Sequence, residues 1–221
     1  MHTSESLQEI YRLMLEYFGP QDWWPGDTPF EVMVGALLTQ NTNWKNVEKA
    51  MNNLKAAGVL SLPTMSALSQ EELAEYIRPA GYYNIKAGRL RSLFAMIEQQ
   101  WKNDLDSLLR QPAAVLREQL LSVKGIGPET ADSMVLYAAG QPLFVVDAYT
   151  HRILSRHEIL PEEYDYFQIQ ELFMDNLAED AALFNEYHAL LVQVGKHFCK
   201  KTKPKCVGCP LSGVGGVTEF V

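Results

Sequence analysis

Asp147 stands between an apolar run and a predicted helix, about twenty residues after a glycine-rich turn. In that turn, Gly125-Ile126-Gly127 separates two stretches of helical periodicity within the sequence LLSVKGIGPETAD. The two glycines allow a tight turn with positive φ and leave main-chain N–H groups uncovered where the second helix begins. Such groups bind phosphate without reading a base sequence. An ordinary helical hairpin can carry the same turn, so this segment alone leaves both interpretations open.

The aspartate itself has two compatible roles. It follows Val145-Val146 and precedes a segment with helical spacing, which is the position of an N-cap carboxylate. A capping carboxylate is held rigidly, and a rigid carboxylate at the mouth of a cleft can also do chemistry. We therefore predict that Asp147 caps a helix, and we treat it as a candidate catalytic group.

The elements that must position these residues are helices. Apolar residues recur at helical spacing, and Ser69 with Glu72 forms a capping-box pattern. The only strand-like run, 143–146, is too short and isolated to form a sheet. No repeat or flexible linker interrupts the chain. The pattern predicts an all-α fold with helices over 7–18, 30–38, 43–57, 69–77, 84–101, 112–121, 129–139, 148–156, 165–177 and 181–198.

Composition limits the possible settings of the chain. The net charge is −8, which by itself argues against a polyanionic partner. The distribution of charge is more informative, because the stretch 196–205 carries five lysines and no acidic residue, and such a patch can bind phosphates. No apolar run reaches the roughly 20 residues needed to span a bilayer, and the N-terminus has no signal-peptide pattern. We therefore expect a soluble cytoplasmic protein.

The segments LLSVKGIGPETAD and VVDAYTHRIL resemble the hairpin and catalytic-aspartate signature of the endonuclease III (HhH-GPD) superfamily of DNA glycosylases. The resemblance extends from about residue 20 to Cys209. It implies two helical lobes with an active site between them: a six-helix lobe over 28–142, with the helix-hairpin-helix at about 120–140, and a lobe formed by 1–27 and 143–221. In this alignment Asp147 is the catalytic aspartate. The implied partner is double-stranded DNA containing a damaged base, bound by a monomer.

One position departs from the bifunctional members of that superfamily. They carry a lysine nucleophile in the second hairpin helix, where this chain has Glu129. A carboxylate cannot form the Schiff base needed for β-elimination. Lys124 lies one hairpin turn away and is better explained as a phosphate contact. The sequence therefore favours a glycosylase without lyase activity, in which Asp147 stabilises an oxocarbenium ion and positions or activates water.

Three further segments are similar to the 3-methyladenine glycosylase branch of the superfamily. They are DWWP, LTQNTNW and GYYNIKA. The resemblance implies that Trp23, Trp24 and Trp44 line the base pocket, and that Lys196 and Glu129 lie near the catalytic aspartate. A cationic base gains a cation–π contribution of about 0.5–2 kcal/mol from an indole face. The alternative is that these tryptophans are core residues.

The resemblance also implies which residues contact DNA. Gln40 would fill the gap left by an extruded nucleotide, and Tyr82 would wedge into the opposite strand. Arg78, Lys86 and Arg89 flank the wedge and are candidate phosphate contacts. An ordinary loop role for Gln40 and Tyr82 is the alternative. The predicted DNA-binding residues are Gln40, Tyr82, Lys124, Gly125, Ile126, Gly127 and Thr130.

Three cysteines, Cys199, Cys206 and Cys209, form a loop at 199–209. Disulfides are improbable in a reducing cytosol. In the superfamily this spacing belongs to a [4Fe–4S] cluster, whose fourth cysteine would fall at Gly215. We predict such a cluster with a structural role, held by three thiolates. Two alternatives are a zinc site that also uses His197 and a chain that has lost its cluster.

Two rival functions are consistent with the same sequence. One is an endonuclease III-like glycosylase and lyase for oxidised pyrimidines or mismatched thymine. The other is a non-catalytic protein that binds DNA structure through the hairpin alone. The favoured prediction is a glycosylase for alkylated purines, chiefly 3-methyladenine.

Overall fold

The computed structural model describes residues 3–21, 23 and 26–216. It confirms the all-α prediction, because no strand occurs among these residues. None of the helices in this described part is both long and apolar enough to cross a membrane. The chain forms two compact units, one of residues 24–141 and one of residues 1–23 and 142–221. The α-helices are α1 (Thr3–Phe18), α2 (Pro29–Leu38), α3 (Trp44–Ala56), α4 (Leu62–Ala67), α5 (Gln70–Tyr76), α6 (Tyr83–Trp101), α7 (Leu105–Leu109), α8 (Ala113–Ser122), α9 (Pro128–Ser133), α10 (Ala148–Arg156), α11 (Tyr166–Asn176) and α12 (Ala181–His197).

The unit of residues 24–141 contains α2 to α9. Helix α2 is apolar almost all round and is buried along nearly its whole length, so it forms the centre of this unit. Helix α5 begins with the predicted capping box, in which Ser69 and Glu72 bond each other's main-chain N–H groups. A short 3₁₀ turn, Arg78–Ala80, leads into α6. The hairpin is formed by α8 and α9, and α9 continues as one π-helical turn, Met134–Ala138.

The unit of residues 1–23 and 142–221 contains α1, α10, α11 and α12. Its core includes four stacked or edge-packed aromatic rings, those of Phe144, Phe173, Phe184 and Tyr187. The apolar run before Asp147 is a buried extended segment rather than a strand of a sheet. Its main-chain carbonyls are satisfied by side chains: Gln170 donates to Phe144 at 2.6 Å, and the His188 ring bonds the Val145 oxygen at 3.0 Å.

Two short helices, α4 and α7, were not predicted. Each has six residues or fewer, so it completes too few turns to show a helical period. Both begin at a side-chain cap, Ser61 for α4 and Asp104 for α7. Those caps were the available signal, because Ser and Asp are strongly preferred at the residue before a helix.

Candidate active site

Asp147 caps α10, as its position in the sequence predicts. Its Oδ1 accepts hydrogen bonds from the Thr150 N–H at 2.7 Å and the Thr150 hydroxyl at 2.9 Å, and Thr150 in turn accepts from the Asp147 N–H. Thr150 is fully buried, whereas Asp147 is half-buried. Because both bonds end on one oxygen, the carboxylate is fixed in orientation while its other oxygen is not used by the cap.

A glycine brings the helix that carries Lys196 against the helix that Asp147 caps. Gly195 lies within α12, and a Cβ added there would come within 2.1 Å of the Tyr149 ring in α10. No larger residue fits this contact unless one of the helices moves. Gly195 therefore sets the spacing between α10 and α12, and its neighbour Lys196 shares that spacing. The sequence interpretation missed this glycine, because nothing in the helical pattern around it signals a close approach.

Lys196 interacts with two predicted site residues of its own unit, Trp23 and Asp147. Its ammonium lies 5.4 Å from the centre of the Trp23 ring, which is a cation–π distance. The surrounding protein partly desolvates the ammonium and so lowers the pKa of Lys196, while the negative charge of Asp147 acts in the opposite direction. The structure thus groups Asp147, Lys196 and Trp23. Trp24, predicted beside them, lies outside the described residues.

The hairpin in the other unit has the predicted glycine turn. Gly125 has φ +93°, and a Cβ there would meet the Arg89 side chain at 2.5 Å, so glycine is required on both grounds. Gly127 caps α9 and has open space around it. The two hairpin helices are joined by an ion pair from Arg117 Nε to Asp132 Oδ1 at 2.6 Å, in which the aspartate is fully buried.

Two predicted DNA contacts in the hairpin face inward instead. Ile126 is 5 % exposed, and its N–H donates to the Val123 oxygen within the turn. Thr130 is 7 % exposed, and its hydroxyl accepts a hydrogen bond from the Gln40 amide at 2.9 Å. Their side chains therefore pack within the hairpin, and contacts with DNA at these two positions stay predictions. Lys124 and Gly125 are exposed, which leaves their predicted phosphate contacts open.

Gln40 lies against this hairpin. Its amide nitrogen donates to the Gly125 carbonyl at 3.1 Å as well as to Thr130, and its amide oxygen accepts from the Arg89 guanidinium. To fill a gap in DNA, Gln40 has to leave these partners. Arg89 is half-buried and bonds Gln40, and its predicted phosphate contact stays a prediction.

Tyr82 is positioned as a wedge would be. Its side chain is 68 % exposed, and it immediately precedes α6 with φ +47°, in the left-handed region that tyrosine rarely adopts. Arg78 is exposed nearby, paired with Glu75 and lying over the Tyr83 ring. Lys86 is the exception among the predicted phosphate contacts: it is 1 % exposed and bonds two main-chain carbonyls.

Glu129 and Trp44, the remaining predicted site residues of this unit, lie at two helix starts. Glu129 is exposed in the first turn of α9, where the helix dipole favours a carboxylate. Trp44 is half-buried at the first residue of α3, directly after the cap Asn43. Their roles toward a damaged base stay predictions.

The lysine-rich stretch is exposed and anchored from α10. The Arg156 guanidinium donates to the Lys200 oxygen at 2.7 Å and the Lys201 oxygen at 3.0 Å, and it lies 3.3 Å from the Cys199 sulfur. Arg152 donates to the Cys199 oxygen at 2.9 Å. These bonds fix the main chain of the loop, while the lysine side chains remain at the surface.

All three cysteines line one small pocket together with His157 and Ser212. The fourth cluster position does not fit a cysteine, since Gly215 has φ +67° and a Cβ there would lie 2.3 Å from the His157 oxygen. Within the described residues, no three His, Cys, Asp or Glu side chains are arranged to hold a metal ion. The residues present thus do not fit a four-cysteine [4Fe–4S] cluster, and a three-thiolate cluster stays a prediction. The histidine at the cavity is His157 rather than His197.

Residues 34–179 match the model of the HhH-GPD superfamily of base excision DNA repair proteins, and the chain belongs to that superfamily. It is 46 % identical over 214 residues to the protein "Putative DNA repair glycosylase MJ1434" of Methanocaldococcus jannaschii, covering 94 % of each chain. It is 24 % identical over 210 residues to endonuclease III of Escherichia coli, covering 95 % of this chain and 93 % of that one.

Solved structures show the same fold. The 3-methyladenine DNA glycosylase MagIII of H. pylori, bound to 1,N6-ethenoadenine, superposes with a TM-score of 0.76 at 30 % identity over 89 % of this chain and 98 % of that one. A trapped endonuclease III–DNA covalent intermediate superposes with a TM-score of 0.82 at 22 % identity, covering 97 % and 96 % of the two chains. These comparisons confirm the predicted superfamily and the helix-hairpin-helix glycosylase fold.

Proposed function

We propose that this DNA glycosylase hydrolyses the N-glycosidic bond of alkylated purines, chiefly 3-methyladenine, without a lyase step. The observation that carries the proposal is the grouping of Asp147, Lys196 and Trp23 in one unit, with a carboxylate, Glu129, where a lyase would carry its lysine. The similarity to MagIII, a 3-methyladenine glycosylase, supports the choice of base.

Asp147 is proposed to act through Oδ2, since Oδ1 is taken by the helix cap. A carboxylate beside the sugar stabilises the positive charge that develops as the glycosidic bond breaks, and it orients or deprotonates the attacking water. An N3-methylated adenine is already cationic and leaves as a neutral base. The reaction therefore needs no strong general acid.

Trp23 is proposed to stack on the extruded base. Lys196, whose ammonium lies over the same ring, then determines the charge next to the bound base. A protonated ammonium over the same indole repels a cationic base. The lowered pKa of Lys196 reduces the cost of losing that proton or of moving the ammonium aside when the base enters. In this proposal Lys196 accompanies Asp147 as a neighbouring charge rather than as a nucleophile.

Borohydride trapping tests the absence of a lyase step. A duplex carrying a suitable lesion is incubated with excess protein and sodium borohydride, and covalent adducts are resolved by denaturing electrophoresis. We expect no adduct and no strand break until alkali is added, because Glu129 cannot form a Schiff base. A trapped adduct contradicts the monofunctional mechanism. If an adduct that forms with the wild type is absent from Lys196→Met, the nucleophile is Lys196.

Chromatography of the bases released from methylated DNA tests the substrate. We expect free 3-methyladenine to appear in proportion to protein, and a reaction with denatured protein to release no more than the slow spontaneous background. Release of no purine from methylated DNA overturns the proposed substrate class.

A further inference from the structure

Lys86 is a buried cation that the mechanism above does not use. It lies in α6, is 1 % exposed, and its ammonium donates to the Leu38 oxygen at 2.8 Å and to the Ala80 oxygen at 2.8 Å. Removing an ammonium from water is unfavourable unless its donors are satisfied by hydrogen bonds. Burial and the charge of Arg89 lower the pKa of Lys86 to about 8.

Each of the two carbonyls that bind Lys86 belongs to the last residue of a helical segment, two residues before a predicted DNA contact. Leu38 is the last residue of α2 and precedes Gln40 by two residues, while Ala80 ends the 3₁₀ turn and precedes Tyr82 by two residues. Carbonyls at a helix end are partly negative and otherwise lack an intrahelical partner, so an ammonium satisfies both of them. One side chain thus joins the segments that lead to the predicted plug and the predicted wedge.

Both segments also contain a residue in an unfavourable backbone conformation. Asn41 has φ +54° and Tyr82 has φ +47°. A tyrosine rarely adopts this region, which asparagine tolerates better, and such a conformation persists only where its surroundings hold it. The bonds from Lys86 end three residues before Asn41 and two residues before Tyr82 along the chain, so they restrain the main chain that leads into both residues.

We propose that Lys86 is a positioning residue that couples the Gln40 segment to the Tyr82 segment. Through this coupling the main chains of the two segments keep a fixed spacing when the Gln40 and Tyr82 side chains enter DNA. The coupling lies within one unit of the protein, and it rests on the proposed function only in the claim that these two side chains enter DNA. Lys86 touches neither the base nor the sugar. Its effect on excision is transmitted through the two main-chain carbonyls it binds.

The first test needs no DNA. Hydrogen–deuterium exchange is measured on peptides covering 38–43 and 79–83 in the wild type, Lys86→Met and Leu90→Ala. Leu90 is fully buried one helical turn further along α6 and serves as the control for a general loss of core packing. We expect faster exchange in both segments of Lys86→Met only. Faster exchange in neither segment, or equally in Leu90→Ala, overturns the coupling.

The second test measures excision. Single-turnover rate constants are obtained for Gln40→Ala, Tyr82→Ala and the double variant, in the wild-type and Lys86→Met backgrounds, well below the unfolding temperature. We expect Lys86→Met to slow excision about 10- to 100-fold, and the non-additivity between the two alanine substitutions to disappear. Non-additivity that persists in Lys86→Met contradicts the proposal.

Lys86→Gln, which keeps one donating group, covers the case in which Lys86→Met does not fold. It is expected to show faster exchange in both segments and slower excision than the wild type, and a Lys86→Gln variant indistinguishable from wild type in both assays contradicts the proposal. If the wild type excises no base at all, the proposed function fails while the exchange experiment still decides the coupling.

Discussion

Asp147→Asn is expected to lower the single-turnover rate of base excision about 10²- to 10⁴-fold while leaving binding to a product-like abasic duplex within a few-fold of wild type. Asparagine accepts the same hydrogen bonds at a helix N-cap, so α10 keeps its start and the protein keeps its stability. What is lost is the negative charge that would stabilise the oxocarbenium ion. Single-turnover kinetics and fluorescence anisotropy measure the two quantities separately.

Asp165→Asn is the matched control. Asp165 caps α11 in the same unit through a capping box like that of Asp147. Its substitution is expected to leave excision unchanged. Equal losses of excision rate in Asp147→Asn and Asp165→Asn would mean that the loss comes from weakened helix capping rather than from a missing catalytic charge. A protein that only binds DNA structure would show no excision in the wild type and unchanged binding in Asp147→Asn.

Gly195→Ala is expected to be the second large effect. The new Cβ would lie 2.1 Å from the Tyr149 ring, so α10 and α12 must separate or the ring must turn away. Overpacking of this kind costs about 1–3 kcal/mol of stability. Because Asp147 caps α10 and Lys196 follows Gly195, a shift of about 1 Å also misplaces the site, and a rate loss on the order of 10²-fold is expected. Thermal unfolding and single-turnover excision measure the two effects.

Gly88→Ala supplies the comparison for Gly195→Ala. Gly88 lies within α6, and a Cβ there would meet the Gln70 side chain at 3.8 Å, which is an ordinary contact. This substitution is expected to stabilise the protein by up to about 1 kcal/mol through helix propensity. Adding Tyr149→Ala to Gly195→Ala removes the contacts with the ring at 2.1 and 2.5 Å but leaves the Cβ of residue 149 at 2.9 Å, so only part of the lost rate is expected to return. If Gly195→Ala behaves like Gly88→Ala, the helix spacing does not position the site.

Local patterns were sufficient for the longer helices, though not for α4 and α7, and for the capping role of Asp147. Ser69 and Asp147 have short-range signatures, because a cap and its partner lie three residues apart. The hairpin glycines are similarly local, since a turn with positive φ leaves little choice of residue at Gly125. The resemblance then assigned the superfamily, which the match over residues 34–179 confirms.

The features that the sequence did not reveal are contacts between distant residues. Gly195 and Tyr149 meet across two helices, and Lys86 bonds Leu38 from 48 residues away. The composition of GYYNIKA suggests a surface lysine, because lysine is almost never fully buried. Lys86 is buried because its ammonium bonds two helix-end carbonyls, and no periodicity in the sequence indicates where those carbonyls lie.

The cysteine loop shows the same limit. The spacing of the cysteines indicated a cluster, but whether a fourth ligand fits depends on the main chain of His157, 58 residues before Gly215. The His157 Nδ1 is hydrogen-bonded to the Val214 oxygen at 3.1 Å. This bond holds His157 against the segment that contains Gly215. The spacing alone could not show this packing.

A single-turnover excision panel tests the central claim most directly. Excess protein is incubated with methylated DNA and with duplexes that carry 1,N6-ethenoadenine, thymine glycol or a thymine–guanine mismatch, and the rate of free-base release is compared. The account predicts that 3-methyladenine is released fastest, that its release depends on Asp147, and that the strand stays intact until alkali is added. Preferential excision of thymine glycol or mismatched thymine with strand cleavage would contradict it.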